Sequence, residues 1–143
     1  MSLFTLSILS LILRLNILIP FMVLHCNQAF VTLADPKMEI MVEFYSQLLG
    51  IQPLNYIPHR YAEFQLPSLK LGIFKPQTTD ISEFSPTGKT GMSLCLEVRD
   101  LEQAIAHLEN LGYPPPGEII TVAHGREIYA YDPMGNRLIL YQI

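Results

Sequence analysis

The sequence predicts an α+β domain in which one βαβββ unit is written twice. Three observations carry this reading. In each half a short β-rich run leads to an aspartate, then to an amphipathic stripe closed by a glycine. The two aspartates, Asp35 and Asp100, are 65 residues apart, and the closing glycines, Gly50 and Gly112, are 62 apart. Each stripe is followed by three short runs of strand character separated by turn residues. The chain has 143 residues, half of them apolar, which suits one domain.

In the first half, residues 29–33 read as a strand. Asp35 and Pro36 supply a helix cap and a first-turn proline, and the helix runs to Leu49. Its apolar positions Ile40, Met41, Phe44, Tyr45, Leu48 and Leu49 recur at helical spacing, and Gly50 ends it. Strands are expected at 52–56, 60–66 and 70–74. Residues 76–91, rich in Pro, Gly, Ser and Thr, form a linker. The second half repeats the order. A strand at 92–98 precedes Asp100, and Leu101, Ala104, Ile105, Leu108 and Leu111 make the helical stripe. Pro114, Pro115, Pro116 and Gly117 break any regular structure, and strands follow at 118–122, 126–131 and 137–142. Residues 132–136, Asp-Pro-Met-Gly-Asn, make a hairpin turn, because proline presets one φ and glycine accepts positive φ at another position. Neither half buries much alone, so the modules at 28–75 and 92–143 are expected to share one sheet system.

Composition removes several function classes. There are 13 acidic against 9 basic side chains and no Lys/Arg cluster, so no footprint for a nucleic-acid backbone exists. The two cysteines, Cys26 and Cys95, form neither a disulfide framework nor a CxxC pair. P-loop, GxGxxG, HExxH and GxSxG motifs are all absent from the sequence. The apolar head, residues 1–25, stands apart from the domain at 26–143. Residues 3–24 hold 16 apolar side chains out of 22, long enough to span a bilayer as a helix. No basic residue precedes this run, as a secretory signal requires, and Arg14 at mid-span costs about 2.5–3.5 kcal/mol in a membrane. Three readings stay open: a start assigned upstream of Met22, a membrane anchor, or a cleaved signal. The expected location is the cytoplasm, or the membrane if residues 3–24 are retained as an anchor.

Three runs then carry a resemblance: FYSQLLGI at 44–51, CLEVRDLEQAIAHLENLGY at 95–113 and YDPMGNRLILYQ at 131–142. Over residues 28–143 the chain resembles the vicinal-oxygen-chelate superfamily of glyoxalases, bleomycin-resistance proteins and extradiol dioxygenases. The resemblance implies paired βαβββ modules forming one open, cup-like eight-stranded sheet, a ligand in the concavity, and a homodimer. It does not choose among isomerases, dioxygenases and plain binders.

Strand parity sorts the side chains that would face such a cup. The first module contributes Gln28, Phe30 and Thr32, then Tyr61, Glu63 and Gln65, then Lys70, Gly72 and Phe74. The second contributes Ser93, Cys95 and Glu97, then Glu127, Tyr129 and Tyr131, then Arg137, Ile139 and Tyr141. Metal-dependent relatives place His, Gln or Glu ligands at positions that here hold Gln28, Gly72, Ser93 and Ile139. Only Gln28 is a serviceable ligand, while a catalytic divalent ion needs about three. No metal or other cofactor is therefore expected, and the escape route is a displaced site using Glu63, Glu97, Glu127 or a histidine. His25 falls ahead of the domain, His107 off the helical stripe, and His59 and His124 at the rim of the cup. Cys95 reads as a packed thiol. The acids either pair with Lys70 and Arg137 across strands or orient a ligand.

The resulting expectation is a metal-independent small-molecule binder whose ligand contacts are Tyr61, Glu63, Gln65, Glu97, Glu127, Tyr129, Tyr131 and Arg137. The ligand would be small, partly aromatic and not strongly anionic. The alternatives are a glyoxalase-like lyase, isomerase or dioxygenase with displaced metal ligands, and a structural or partner-binding module.

Overall fold

A computed structural model describes residues 23–84 and 90–143. The readings made for residues 1–22, including the start at Met22, fall outside these residues. Among the described residues no helix is long and apolar enough to cross a membrane.

The duplication is present. Module one is β1 (Val31–Ala34), α1 (Met38–Leu49), β2 (Asn55–Ile57), β3 (Tyr61–Gln65) and β4 (Lys70–Phe74). Module two is β5 (Leu94–Glu97), α2 (Leu101–Leu111), β6 (Ile120–Val122), β7 (Gly125–Tyr131) and β8 (Arg137–Gln142). Each builds a four-stranded mixed sheet, ordered β1-β4-β3-β2 and β5-β8-β7-β6. The first strand of each module pairs parallel with the last, and the other neighbours are antiparallel. The eight strands are therefore divided into two sheets, with β1 and β5 as edges that no ladder joins. The linker contains a 3-10 turn, Ile81–Phe84, whose Phe84 ring meets Phe74 edge-on at 5.3 Å.

Burial explains the parity. Leu71 and Ile73 of β4, with Ala62 and Phe64 of β3, face α1 and are fully buried, whereas Thr32 on β1 is exposed. In module two Ile128, Ala130, Leu138 and Leu140 are buried toward α2, leaving Cys95 and Glu97 exposed on the other face. One core cluster includes residues of both modules, because α1 packs on α2 and Phe44 meets Tyr113 edge-on at 5.0 Å.

Helix α2 starts as expected: Asp100 caps it by accepting from the Gln103 N–H at 2.9 Å. Helix α1 does not. Asp35 accepts from Lys37 N–H at 2.8 Å while its own N–H donates to the Phe74 carbonyl at 3.0 Å. That residue prolongs the β1–β4 pairing, so Lys37 takes the cap position without a side-chain bond and Pro36 lies ahead of the helix. The buried stripe shifts accordingly to Met38, Met41, Val42, Phe44 and Tyr45, and Ile40 is 46% exposed.

Candidate functional site

The face of the first sheet opposite α1 is built around Glu63. Its register partners are Asn55 on β2 and Gly72 on β4. The carboxylate is buried and accepts from the Tyr61 hydroxyl at 2.6 Å and the Asn55 amide at 3.1 Å, with Lys70 Nζ at 3.3 Å. The Tyr61 bond, then Asn55 and Lys70, outweigh burial and hold the Glu63 carboxyl below its ordinary range. Burial and the neighbouring carboxylate push Tyr61 up to about 12. Lys70 also stands 5.9 Å over the Phe30 ring. A group whose pKa is depressed by folding stabilises the fold fully above its unfolded pKa and loses that contribution as pH falls through the folded value. Glu63→Gln is accordingly expected to lower the thermal midpoint at neutral pH. The gap to the wild type closes as the pH is taken below the carboxylate range, as a pH series of thermal melts would measure. A gap that stayed constant with pH would contradict this.

Module two carries three smaller groupings. The Tyr141 hydroxyl donates to Glu97 at 3.4 Å, and burial with that carboxylate raises the Tyr141 pKa. His124 stands 3.6 Å from Glu127 with its ring edge-on to Tyr141 at 5.6 Å. Arg137 donates to the Ser93 hydroxyl and the Thr90 carbonyl, each at 3.1 Å, with its guanidinium carbon 6.0 Å from the Tyr129 ring centre. Of the cross-strand ion pairs that parity allowed, Glu63 with Lys70 forms, and Arg137 pairs with no carboxylate among the described residues.

Between the modules lies a cavity of about 510 Å³. Four consecutive β1 residues, 31–34, and residues 92–94 line it, so it follows the unpaired edges of β1 and β5. Tyr45 and Leu71 wall it on the helix side, and Tyr131, Asn136 and Arg137 from the β7–β8 hairpin wall its other side. That hairpin is anchored by Asp132, which accepts from the Met134 N–H, the Asn136 N–H and amide, and the buried Tyr45 hydroxyl at 2.8 Å. Burial, with Asp132 beside it, raises the Tyr45 pKa well above its usual value.

The eight predicted contacts are thus dispersed. Tyr131 and Arg137 line the cavity, whereas Tyr61 and Glu63 sit together on the first sheet, and Gln65 is exposed and bonded to the Leu66 carbonyl. Glu97, Glu127 and Tyr129 lie on the face of the second sheet away from α2, where Glu127 is buried and Tyr129 is 43% exposed. Parity missed Thr90, Met92 and Asn136, because it sorts strand residues by face and says nothing of a gap between two strands. Asn136 had a signal in the hairpin turn; Thr90 and Met92 had none. Among the histidines, exposed His107 bonds the Gln47 carbonyl at 2.8 Å and so ties α2 to α1. His59 lies against α1: its backbone N–H donates to Glu39 at 2.7 Å with its ring Nδ1 3.4 Å from the same carboxylate, and Tyr56 bonds that carboxylate too, lowering its pKa. Cys95 is exposed, not packed, because β5 turns it to the open face.

Residues 24–140 match the model of the Glyoxalase/Bleomycin resistance protein/Dioxygenase superfamily. The chain belongs to that superfamily. No curated protein matches it in sequence. Solved structures with this fold include a glyoxalase/bleomycin resistance protein/dioxygenase from Nocardioides, 20% identical, with a TM-score of 0.66 over 90% of this chain and 92% of that one. Lactoylglutathione lyase from Agrobacterium tumefaciens is 18% identical, with a TM-score of 0.61 over 82% and 95%. A bleomycin-binding protein complexed with bleomycin is 20% identical, with a TM-score of 0.59 over 82% and 99%. At such identities the likeness is one of fold.

The superfamily's metal positions can be tested against these residues. Gln28 is exposed and lies ahead of β1. A Cβ on Gly72 would meet the Tyr61 hydroxyl at 3.1 Å and Thr32 Cγ2 at 3.2 Å, so Tyr61 covers the place a ligand side chain would need. The Ser93 hydroxyl accepts from a guanidinium, whose charge opposes a cation there. Ile139, in register with Cys95 and Tyr129, offers no donor atom. These four positions do not fit a divalent ion. Among the described residues no three His, Cys, Asp or Glu side chains gather into a site for one.

Proposed function

We propose that this chain is a cytoplasmic, homodimeric small-molecule-binding protein that works without a metal, related in role to the binding branch of its superfamily. The reading is supported above all by the cavity of about 510 Å³ between the modules, within the size range of small-ligand sites. Its wall is mostly apolar, with polar groups from Thr32, Glu83, Thr90 and Ser93 and from the hairpin. The unsuitability of Gln28, Gly72, Ser93 and Ile139 as a ligand set adds the metal-free part. Of the contacts expected from sequence, Tyr131 and Arg137 belong to this cavity. Tyr61, Glu63, Gln65, Glu97, Glu127 and Tyr129 lie outside it, on the sheet faces away from the helices, with Glu63 and Glu127 buried there.

The test is a thermal-shift panel of small molecules on the full chain, with and without EDTA, beside metal analysis after dialysis. A ligand raises the midpoint with the logarithm of its excess over Kd. The expected result is stabilisation by some members of the panel, unchanged by chelation, with far less than one metal per chain. One equivalent of nickel, zinc, iron or manganese, with binding lost on chelation, would replace this reading with a metal-dependent lyase or dioxygenase. A panel in which nothing stabilises the protein would favour a structural or partner-binding module.

A further inference from the structure

We infer that the cavity between β1 and β5 takes a small monocarboxylate with an apolar body, its carboxylate held by Arg137; this rests on the small-molecule reading above. The first support is the state of Arg137. A guanidinium has five N–H donors in a planar fork suited to two carboxylate oxygens. Here one goes to the Ser93 hydroxyl and one to the Thr90 carbonyl, both neutral acceptors that also line the cavity. No carboxylate lies within 4 Å of Arg137 among the described residues, so a cation with donors in hand stands at the wall of the cavity. Its position is set from behind by the Tyr129 ring at 6.0 Å. Ser93 accepts from Arg137 and keeps its own proton for a second bond to the same bound anion.

The acids that sequence parity placed around a ligand do not oppose this. Glu63 is engaged by Tyr61, Asn55 and Lys70, Glu97 by Tyr141 and Glu127 by His124, and none of the three lines the cavity. The acid that does line it is Glu83, whose charge opposes any anion there, so the ligand carries no more negative charge than the one carboxylate that Arg137 holds. Leu33, Leu94 and Phe84 face the remainder of the ligand and call for an aliphatic or aromatic body.

The experiment compares a matched pair, 3-phenylpropionate and 3-phenylpropionamide, titrated calorimetrically into the full-length protein. The two share shape and differ in the charge that Arg137 would read. The acid is expected to bind at least about tenfold more tightly than the amide. Arg137→Met should remove that preference by weakening the acid and leaving the amide unchanged. Arg137→Lys, which keeps the charge but not the fork, should recover part of it. The amide titration and the thermal midpoint of each variant report whether the cavity itself has survived. Equal binding of acid and amide, or an equal loss of both in Arg137→Met, overturns the carboxylate assignment and leaves the small-molecule reading standing. Failure of both compounds, while neutral or cationic members of the wider panel bind, overturns the assignment alone. Failure of every compound overturns both.

Discussion

Asp132→Ala is expected to cost about 3–4 kcal/mol of folding stability, more than a typical point change, because one side chain satisfies four donors. One carboxylate oxygen accepts from the Met134 and Asn136 N–H groups at 3.0 and 2.9 Å, and the other from the Asn136 amide and the Tyr45 hydroxyl, both at 2.8 Å. The residue is 3% exposed and Tyr45 fully buried, so alanine leaves a hydroxyl without a partner in the core. For a domain of this size the thermal midpoint should fall by roughly 10–15 °C. Tyr45→Phe removes the hydroxyl together with its need for a partner and should cost only about 1 kcal/mol. Urea unfolding of the two variants separates these values. Stability of Asp132→Ala within about 1 kcal/mol of the wild type would show that the network is not what holds the hairpin to α1. The same change should weaken ligand binding, since Tyr131, Asn136 and Arg137 reach the cavity from this hairpin.

The second large effect is expected at Gly125, which opens β7. Its φ is +141°, and a Cβ built there would fall 2.1 Å from the Gln142 carbonyl oxygen and 3.0 Å from its carbon. Both atoms are backbone and cannot turn aside as a side chain would. Gly125→Ala combines a disfavoured φ with a main-chain collision, about 3–4 kcal/mol together. The strand end that would have to move carries Gln142, whose side-chain oxygen accepts from the Leu101 N–H and from Arg126. Damage should therefore spread to the start of α2. Gly117→Ala, where a Cβ meets nothing within 4 Å, is the control and should stay within about 0.5 kcal/mol of the wild type. Equal midpoints for the two variants in a thermal melt would refute the argument.

The candidate site was less legible in the sequence than the fold, and particular residues show why. Alternation along β7 and β8 placed Tyr131 and Arg137 on the face opposite the buried Ala130 and Leu138, since parity is a local property of the strand. It could not say that Tyr131 would border a cavity while Tyr129, two residues earlier, would lie open beside Arg137. Asp35 failed as a cap because the choice between starting a helix and extending β1 was decided by the Phe74 carbonyl, 39 positions away in the chain. Asp100, with no such competitor, capped α2 as its neighbours predicted.

Sequence alone determined the duplicated βαβββ plan, the existence of the two helices, the Asp-Pro-Met-Gly-Asn turn and the inward faces of the strands. All of these depend on residues a few positions apart, where period and backbone preference act directly. Tertiary structure decided where β1 and β5 stop short of pairing and leave a cavity. It also decided which acids are spent on neighbours, and that Arg137 meets only neutral acceptors. Those outcomes are set by how two separate sheets come to rest on one shared core, a balance of packing and polar contacts across the whole chain that no local pattern encodes.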